Sequence, residues 1–428
     1  MAMANPKSDA TQARLDAMSM PEGAAWMTAA RREALDRVTA SGLPGRRDEY
    51  WKYTNPADLV APSIAAVPLL VTGEQEMFSA TDRLRIVFVD GVFDAAQSDE
   101  LAMDGVEIEL LRDVAQKDIH WAKDLYGTLE TEGQTPVSRP LAALNTAFAT
   151  DGVCIRVHGQ ASRPISIVMQ HADEHSDVVM HNLVRVEKGA SLTLLECGPV
   201  AARFNGLLEV DVQDGGRFNH VRTQGRTHAR RALTHIFGRL GEECHFKSFT
   251  LTANGMLTRN ECVLRLTGRD TKAHVAGAAV GDGDFLQDDT VFITHDAVGC
   301  ESRQVFKKVL RNGATGVFQG KILVNEIAQK TDGFQMSQAL LLGDDAQFLA
   351  KPELEIYADD VACSHGSTSG AIDDTALFYL RSRGVPKTQA EELLVLAFVA
   401  EAIDEIEDSD LAENIRVRMD EWLVRHRN

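Results

Sequence analysis

The fold is decided by a glycine-centred turn that runs directly into a β-prone segment, Glu187-Lys188-Gly189-Ala190-Ser191-Leu192-Thr193-Leu194. The same turn-then-strand unit recurs at residues 214–218, 241–246, 312–318 and 343–348. The first three turn glycines lie 26 residues apart, and the last two lie 30 residues apart. A repeat of this size predicts the stacked coils of a β-solenoid, in which each coil buries its inward side chains on the next.

The region that contains these units, about residues 146–370, has short β-prone segments and almost no helical periodicity. We therefore predict a mainly β protein whose core, residues 146–370, is a parallel β-helix. A flat β-sandwich is the competing interpretation, although its turns usually come about every 8–12 residues. Because the period is irregular, the pattern alone favours the solenoid without excluding the sandwich.

The region before this core, residues 1–145, is expected to be mostly helical. Ser19, Pro21 and Glu22 resemble a capping box with proline in the first turn. Glycine follows the predicted helix in Gly42-Leu43-Pro44, which is typical of a helix end. A short strand is predicted at residues 84–89, and the polar, turn-rich residues 128–140 are predicted to form a linker or surface loop.

The region after the core, residues 371–428, is predicted to be helical. One helix is expected over Asp373–Arg383, and a second is expected to begin in a capping box formed by Thr388 and Glu391. The second helix is apolar on two faces and therefore needs cover on both. Two interpretations remain open: a self-contained helical cap on the end of the solenoid, or a docking site for another subunit.

The overall composition limits the possible functions. The chain has 428 residues, 44% of them hydrophobic and 25% charged, and a formal net charge of −19. A negative field of this size repels phosphate backbones and anionic lipid surfaces, so neither nucleic-acid nor membrane binding is expected. No stretch reaches the ~18 apolar residues that span a bilayer, and residues 1–30 lack the apolar core of a secretory signal. A cytoplasmic location is therefore expected.

The cysteines are scattered singly, without a CxxC pair. They are Cys154, Cys197, Cys244, Cys262, Cys300 and Cys363. This spacing indicates neither a self-contained zinc site nor a disulfide framework. Most of these thiols are expected to be buried and to act as small hydrophobes.

The most suggestive segment for chemistry is residues 359–367, which contains Cys363 and His365. In an extended chain these two side chains share one face, because side chains alternate with period two. A thiolate and an imidazole could both ligate a soft or borderline metal such as iron. Two ligands do not close a site, so a packed cysteine and a turn-capping histidine remain the simpler interpretation unless a second chain supplies further donors.

Other motifs for chemistry are weak. The nearest approach to a P-loop is Gly316–Lys321, but Ile322 stands where Ser or Thr must reach Mg²⁺, so no nucleotide is expected to bind this chain. The histidines at 171, 175 and 181 lie in a polar stretch where solvated imidazoles are expected. The acid pairs at 288–289, 344–345 and 359–360 keep open a carbohydrate-active β-helix enzyme, although adjacent acids on a strand face opposite sides.

Several segments resemble one known family. The match runs from about residue 42 to 400, and its most specific part is ADDVACSHGSTSGAIDD from Ala358, followed by ALFYLRSRGV from Ala376. It also includes residues 46–54, 144–148, 318–322, 328–332, 340–342 and 351–356. These segments are similar to the SufB/SufD family of the SUF iron–sulfur cluster assembly system.

The resemblance implies a right-handed parallel β-helix flanked by helical regions, in a scaffold subunit that is not itself an enzyme. It implies a complex with SufB through the β-helices and with the ATPase SufC through the C-terminal helices, at residues 371–428. The functional histidine of the family falls on His365, with Cys363 beside it, at the interface with SufB. A transient iron–sulfur cluster shared with SufB is the implied cofactor.

The residues expected to contact SufC lie on the predicted C-terminal helices. They are Leu377, Phe378, Tyr379, Leu380, Arg383, Leu393, Leu396 and Phe398. Two departures favour the SufD branch of the family over the SufB branch: Ala346 replaces a ligand cysteine, and Gly366 replaces an acid. A homodimer of the isolated chain stays open, as does an inert partner that only holds SufB and SufC together.

Overall fold

The structure is a computed structural model that describes residues 6–69, 76–198, 200–225 and 229–426. The α-helices are α1 Pro6–Asp16, α2 Ala25–Ser41, α3 Ala57–Val60, α4 Leu111–Val114, α5 Thr128–Glu132, α6 Pro140–Phe148, α7 Asp374–Ser382, α8 Lys387–Ile403 and α9 Ser409–Arg425. The first strands are β1 Leu84–Val89, β2 Val92–Phe93, β3 Val106–Leu110, β4 Val153–Val157, β5 Ile165–Gln170, β6 Asp177–Val186, β7 Ser191–Gly198, β8 Arg203–Val212 and β9 Arg217–Gln224. The remaining strands are β10 Arg231–Leu240, β11 His245–Ala253, β12 Leu257–Leu266, β13 Lys272–Asp282, β14 Leu286–His295, β15 Glu301–Arg311, β16 Thr315–Val324, β17 Asp332–Leu341, β18 Gln347–Ile356 and β19 Ala362–Gly370.

The strands wind into a parallel β-solenoid of about seven turns. Sheet A has the order β19-β17-β15-β13-β11-β9-β7-β5-β1-β2, and sheet B has the order β18-β16-β14-β12-β10-β8-β6-β4-β3. From β4 onwards each coil gives one strand to each sheet, and from β5 onwards every strand pairs in parallel with the strand before it in its sheet, whereas β4 pairs antiparallel with β3. The predicted parallel β-helix is therefore confirmed, and the sandwich is excluded.

The turns that predicted the fold stack along the solenoid axis. Gly189 and Gly215 both have φ of 68°, a conformation that glycine adopts without strain. The amide of Gly189 donates to the carbonyl of Asp214 at 2.9 Å, and the amide of Gly215 donates to that of Glu242 at 2.7 Å. Each turn thus satisfies backbone groups of the next, which fixes the spacing of the coils.

The interior between the two sheets is mainly apolar and arranged in columns. Leu208, Ile236, Cys262 and Val291 are in-register neighbours along sheet B and are all buried. Such columns form because in-register side chains of stacked coils point to the same side. Five of the six cysteines are buried, as expected, and Cys363 is partly buried.

The N-terminal helices cover the outer face of sheet B. Val38 of α2 and Leu144 of α6 pack in one cluster with Leu233 of β10. The predicted start of the first long helix at Ser19 is wrong, because α2 begins at Ala25 and has no side-chain cap. Buried Arg31 instead donates to the carbonyl of Pro21 at 2.6 Å, which holds the preceding segment out of the helix.

The prediction of a linker or surface loop at residues 128–140 is wrong for its first part, although residues 133–139 form neither helix nor strand. The segment contains α5, and its Glu130 is fully buried. The carboxylate accepts hydrogen bonds from Arg37 at 2.5 Å and from Thr146 at 3.1 Å. The polar composition of the segment wrongly predicted exposure, because Glu130 is paired inside the protein rather than solvated.

The predicted strand at residues 84–89 is confirmed as β1, which joins sheet A beside β5.

The C-terminal helices lie along the outer face of sheet A. Val395 and Val399 of α8 and Trp422 of α9 share a buried cluster with Val305 and Val309 of β15. The interpretation as a cap on the end of the solenoid is therefore wrong: the helices cover a side of the solenoid. One of the two apolar faces predicted for α8 packs against sheet A, and this contact explains why that face is apolar.

The helix boundaries in this region are close to those predicted, but the caps differ. Asp373 caps α7 by accepting from the amides of Thr375 at 2.8 Å and Ala376 at 2.9 Å. The predicted capping box at Thr388 is wrong, because α8 begins at Lys387 without a side-chain cap. Glu391 instead lies 3.5 Å from the Lys387 ammonium.

A partly buried ionic contact fastens the α8–α9 connection to sheet A. The Glu405 carboxylate accepts from Arg303 Nε at 2.6 Å and lies 3.0 Å from His274 Nδ1. Burial disfavours the charged form, but the hydrogen bonds and charges of these two partners lower the pKa of Glu405 to about 2. The carboxylate therefore stabilises the fold above its unfolded pKa of about 4.5, and this contribution is lost as pH falls through 2.

We expect Glu405→Gln to lower the free energy of unfolding by up to about 3 kcal/mol above pH 5. The difference from wild type should shrink as pH falls from about 4.5 towards 2, because the wild-type carboxyl then takes up a proton. Urea unfolding across this pH range measures it. Glu407→Gln, which changes an exposed acid of the same connection, is the control, and an equal effect of both variants would contradict the assignment.

No helix in the described ranges is both long and apolar enough to cross a membrane.

Candidate functional site

Cys363 and His365 lie on β19, the terminal strand of sheet A. In the parallel ladder Cys363 is the neighbour of Gly333 and His365 is the neighbour of Gln335, both on β17. Among the described strands, β19 has a partner on one edge only, and so does β18 at the same end of sheet B. The two candidate ligands thus occupy the open end of the solenoid.

Both side chains point towards the solenoid interior, although His365 is exposed. A Cβ atom placed on Gly333 would lie 3.2 Å from the Cys363 Sγ and 3.4 Å from the buried side chain of Ile322, which fixes the inward direction of the thiol. Ser367 Oγ is 2.8 Å from the Oγ of Ser337, which is fully buried. His365 lies between Cys363 and Ser367 on the same face, and it is accessible because no further coil covers it.

The Cys363 thiol is held in its protonated form in the isolated chain. Partial burial raises its pKa above the ordinary value, and the nearby Asp332 carboxylate adds to the shift. Since the thiolate is the metal ligand, a metal must displace this proton in order to bind.

A segment of the N-terminal region reaches this end of the solenoid. Tyr50 Oη donates to Glu353 Oε2 on β18 at 2.6 Å, and Lys351 Nζ lies 4.0 Å from the centre of the Tyr50 ring. Lys351 also donates to Glu49 at 2.6 Å. Because these contacts span about 300 positions of sequence, they fix the last strand of sheet B to the N-terminal region.

The predicted SufC-contacting residues lie on α7 and α8, apart from Arg383, which directly follows α7. None of the residues of α7 is buried, and its Phe378 side chain is 73% exposed. Arg383 stacks over the Tyr379 ring, with its guanidinium carbon 4.3 Å from the ring centre. Leu377 and Leu380 are partly buried.

Three of the predicted contacts lie on α8, and they face two directions. Leu393 is 46% exposed. Leu396 and Phe398 are partly buried against the cluster between α8 and sheet A. The Phe398 ring also lies under the ammonium of Lys307, 4.8 Å from its centre.

The acid pairs do not converge on a groove. Asp288 faces outward, where its carboxylate accepts from Arg259 Nη1 at 2.6 Å. Asp289 faces inward, where it accepts from Lys308 Nζ at 2.6 Å. Both are buried, so the alternation predicted for adjacent acids is present and each carboxylate is neutralised separately. Residues 344–345 and 359–360 are turn or loop residues.

A nucleophile–base arrangement that the sequence did not suggest lies inside the solenoid. His220 Nδ1 is 2.9 Å from Ser248 Oγ, and His220 Nε2 is 2.8 Å from Glu196 Oε2. Burial lowers the pKa of His220, while the Arg222 and His220 groups overcome the burial of Glu196 and lower its pKa to about 2. All of these side chains are buried, so the arrangement satisfies polar groups of the core and offers no access to a substrate.

His181 also differs from the prediction of a solvated imidazole. It lies on β6, is fully buried, and its Nε2 is 2.9 Å from Glu209 Oε2. The P-loop-like residues 316–321 lie within strand β16, where they cannot form a phosphate-binding loop before a helix. Among the residues that the structure describes, no group of three or more His, Cys, Asp or Glu is arranged to hold a metal ion.

Comparison with known proteins matches nearly the whole chain. Residues 13–167 match the SufBD protein N-terminal region, and residues 168–398 match the SufBD core domain of SUF system FeS cluster assembly. The chain is 28% identical over 403 residues to the iron–sulfur cluster assembly protein SufD of Escherichia coli, which covers 91% of each chain. It is 26% identical over 408 residues to an iron–sulfur cluster assembly SufBD family protein of Synechocystis, which covers 90% of this chain and 89% of the relative.

Proposed function

This chain belongs to the SufBD family of the SUF system, which functions in iron–sulfur cluster assembly, and we propose that it acts there as a scaffold subunit and not as a free-standing enzyme. The proposal includes pairing with SufB through the open end of the solenoid and binding of SufC through α7 and α8. The nascent cluster is the cargo of this assembly. The observation that carries the proposal is the exposed His365 at the open end, with Cys363 beside it.

Pairing with SufB is supported by the free edges of β18 and β19. An unpaired strand edge offers a row of backbone donors and acceptors to another chain. The two edges lie at one end of the solenoid, one from each sheet, and could pair with a partner that also has unpaired strand edges at the end of a solenoid. The same argument allows the isolated chain to form a homodimer, with its own edges in place of those of SufB.

His365 and Cys363 supply part of a ligand set. Cluster irons are usually held by thiolates, and imidazole replaces thiolate in some clusters. Both donors point into the space that a partner would close, so ligands from SufB would complete the shell around the cluster. Because burial raises the pKa of Cys363, iron must displace the thiol proton before this residue can bind it.

Binding of SufC is supported by the exposed aromatic surface of α7. No residue of this amphipathic helix is buried, so its apolar face is only partly covered. Phe378 and Tyr379 are large and exposed, and aromatic residues are enriched at the centres of protein interfaces. Since α7 follows β19 after three residues, movement of α7 by the ATPase would reach the strand that carries His365.

The test is His365→Ala in the complex reconstituted with SufB and SufC. We expect the yield of assembled cluster to fall by roughly tenfold or more, because loss of even a residue that supports a ligand lowers metal affinity about 10–100-fold. Anaerobic reconstitution followed by absorption spectroscopy measures the yield. Ser364→Ala, which changes an exposed neighbour on the other face of β19, is the matched control. Wild-type yield from an intact His365→Ala complex would remove His365 from the mechanism.

A further inference from the structure

Two buried glutamines in the last coils lack hydrogen-bond partners. The carboxamide nitrogen and oxygen of Gln304 on β15 and of Gln335 on β17 have no partner among the residues that the structure describes. Both side chains are fully buried. Buried polar groups are normally paired, so such groups in a native fold require an explanation, and a partner group that is absent from the isolated chain is one.

The two glutamines stand in one column with His365. In sheet A the register runs from Gln304 on β15 to Gln335 on β17 and then to His365 on β19. Side chains in one column point to the same side, and neighbouring strands lie about 4.8 Å apart. Gln335 is therefore the inner neighbour of His365, whereas Gln304 lies one coil deeper.

A glycine on the opposite sheet provides the space that the Gln335 carboxamide occupies. A Cβ atom placed on Gly320 of β16 would lie 1.7 Å from Gln335 Nε2. A side chain at this position would thus occupy the space of the amide. Because Gly320 has no side chain, the Gln335 carboxamide can lie directly below the open end of the solenoid.

From this arrangement we propose that Gln335 is a positioning residue for His365. This rests on the proposed function of His365 as a ligand. When a partner covers the open end, Gln335 Oε1 accepts the N–H of one imidazole nitrogen of His365. The ring is then held in one orientation and one tautomer, and the lone pair of its other nitrogen is directed to iron. A ligating histidine commonly donates its second N–H in this way.

A structural role and a positioning role of Gln335 predict different effects of its substitution on the stability of the isolated chain. Loss of a structural residue should lower Tm, whereas loss of a positioning residue should lower only the cluster yield of the complex. Replacing an unpaired buried carboxamide by an apolar group of similar size removes a desolvation penalty, so the isolated chain should become no less stable. We expect Gln335→Leu to raise Tm by roughly 1–3 °C. In the complex with SufB and SufC, the same variant should lower cluster yield by roughly tenfold, as expected for loss of a group that orients a ligand.

Gln304→Leu is the matched control. It removes the same unpaired group from the same column one coil further from His365, so Tm should rise similarly while cluster yield stays at the wild-type value. Gly320→Ala provides a second route, because its methyl group displaces the Gln335 amide without changing Gln335. It should lower cluster yield as well, and it decides the matter if Gln335→Leu fails to fold.

The outcomes separate this inference from the proposed function. If His365→Ala loses the cluster while Gln335→Leu and Gly320→Ala retain wild-type yield, the positioning role is overturned and the ligand role of His365 stands. A fall of both Tm and yield in Gln335→Leu and in Gln304→Leu alike also overturns it, in favour of a structural role. If His365→Ala has no effect, the proposed ligand role fails, and the positioning role fails with it.

Discussion

Arg259→Leu is expected to lower the free energy of unfolding by about 3–5 kcal/mol, because it leaves buried carboxylates without their main partner. Arg259 is 1% exposed. Its Nε donates to Glu261 at 2.8 Å and its Nη1 donates to Asp288 at 2.6 Å. Burial works against the charge of Glu261, and Arg259 is the largest of the groups that nevertheless lower its pKa.

The same guanidinium also holds the N-terminal region. Its Nη1 donates to the Tyr50 carbonyl at 2.7 Å, and its carbon lies 4.1 Å from the centre of the Trp51 ring. We therefore expect amide hydrogen exchange in residues 42–54 to accelerate in Arg259→Leu. Since Tyr50 contacts Glu353 on β18, the loss should extend to the last coil.

Arg265→Leu is the control for Arg259→Leu. Arg265 lies on the same strand, β12, but is 44% exposed, and its ion pair with Asp296 at 2.8 Å is partly solvated. Exposed pairs contribute about 0–1 kcal/mol, so this variant should change the free energy of unfolding little. Urea unfolding at neutral pH measures both variants. Equal effects would show that the buried ion pairs do not stabilise the fold as described.

Trp422→Ala is expected to lower the free energy of unfolding by about 3–5 kcal/mol, the range for large buried aromatics. Trp422 on α9 is 1% exposed and packs in the cluster between the C-terminal helices and sheet A. Its Nε1 donates to Asn254 Oδ1 at 3.0 Å, and the His426 ring stacks on it at 4.1 Å. The substitution therefore opens a cavity and leaves the Asn254 amide oxygen without its donor.

This effect should be concentrated in the C-terminal helices. We expect faster hydrogen exchange in α8 and α9, with the solenoid strands less affected, because the cavity separates the helices from the sheet. Val424→Ala, on the same helix but exposed, is the control and should change stability by less than about 0.5 kcal/mol. Uniformly faster exchange throughout the solenoid would contradict a separate attachment of the helices.

The candidate ligands were predictable because their geometry is local. Alternation along a strand gives Cys363 and His365 one face whatever the rest of the chain does. The same rule predicted that Asp288 and Asp289 would face opposite sides. Their burial was not predictable, because the cations that neutralise them, Arg259 and Lys308, belong to other coils.

The role proposed for Gln335 needed the register between coils. A column such as Gln304, Gln335 and His365 joins residues about 30 positions apart, and a shift of one residue in either turn would separate them. Turn lengths vary along the chain, so composition and spacing do not give this register. The unpaired carboxamide likewise appears only once the surrounding atoms are in place.

The sequence by itself indicated the turn-and-strand repeat and favoured the solenoid, because glycine-centred turns and β-prone segments act over a few positions and require no knowledge of the rest of the chain. It also determined the helices after residue 371. Only the tertiary structure decided that those helices lie on the side of the solenoid and leave its end open, since this depends on which outer face of which sheet is apolar. His365 is accessible because the C-terminal helices bury their apolar residues against the outer face of sheet A and do not cover the end of the solenoid at β19.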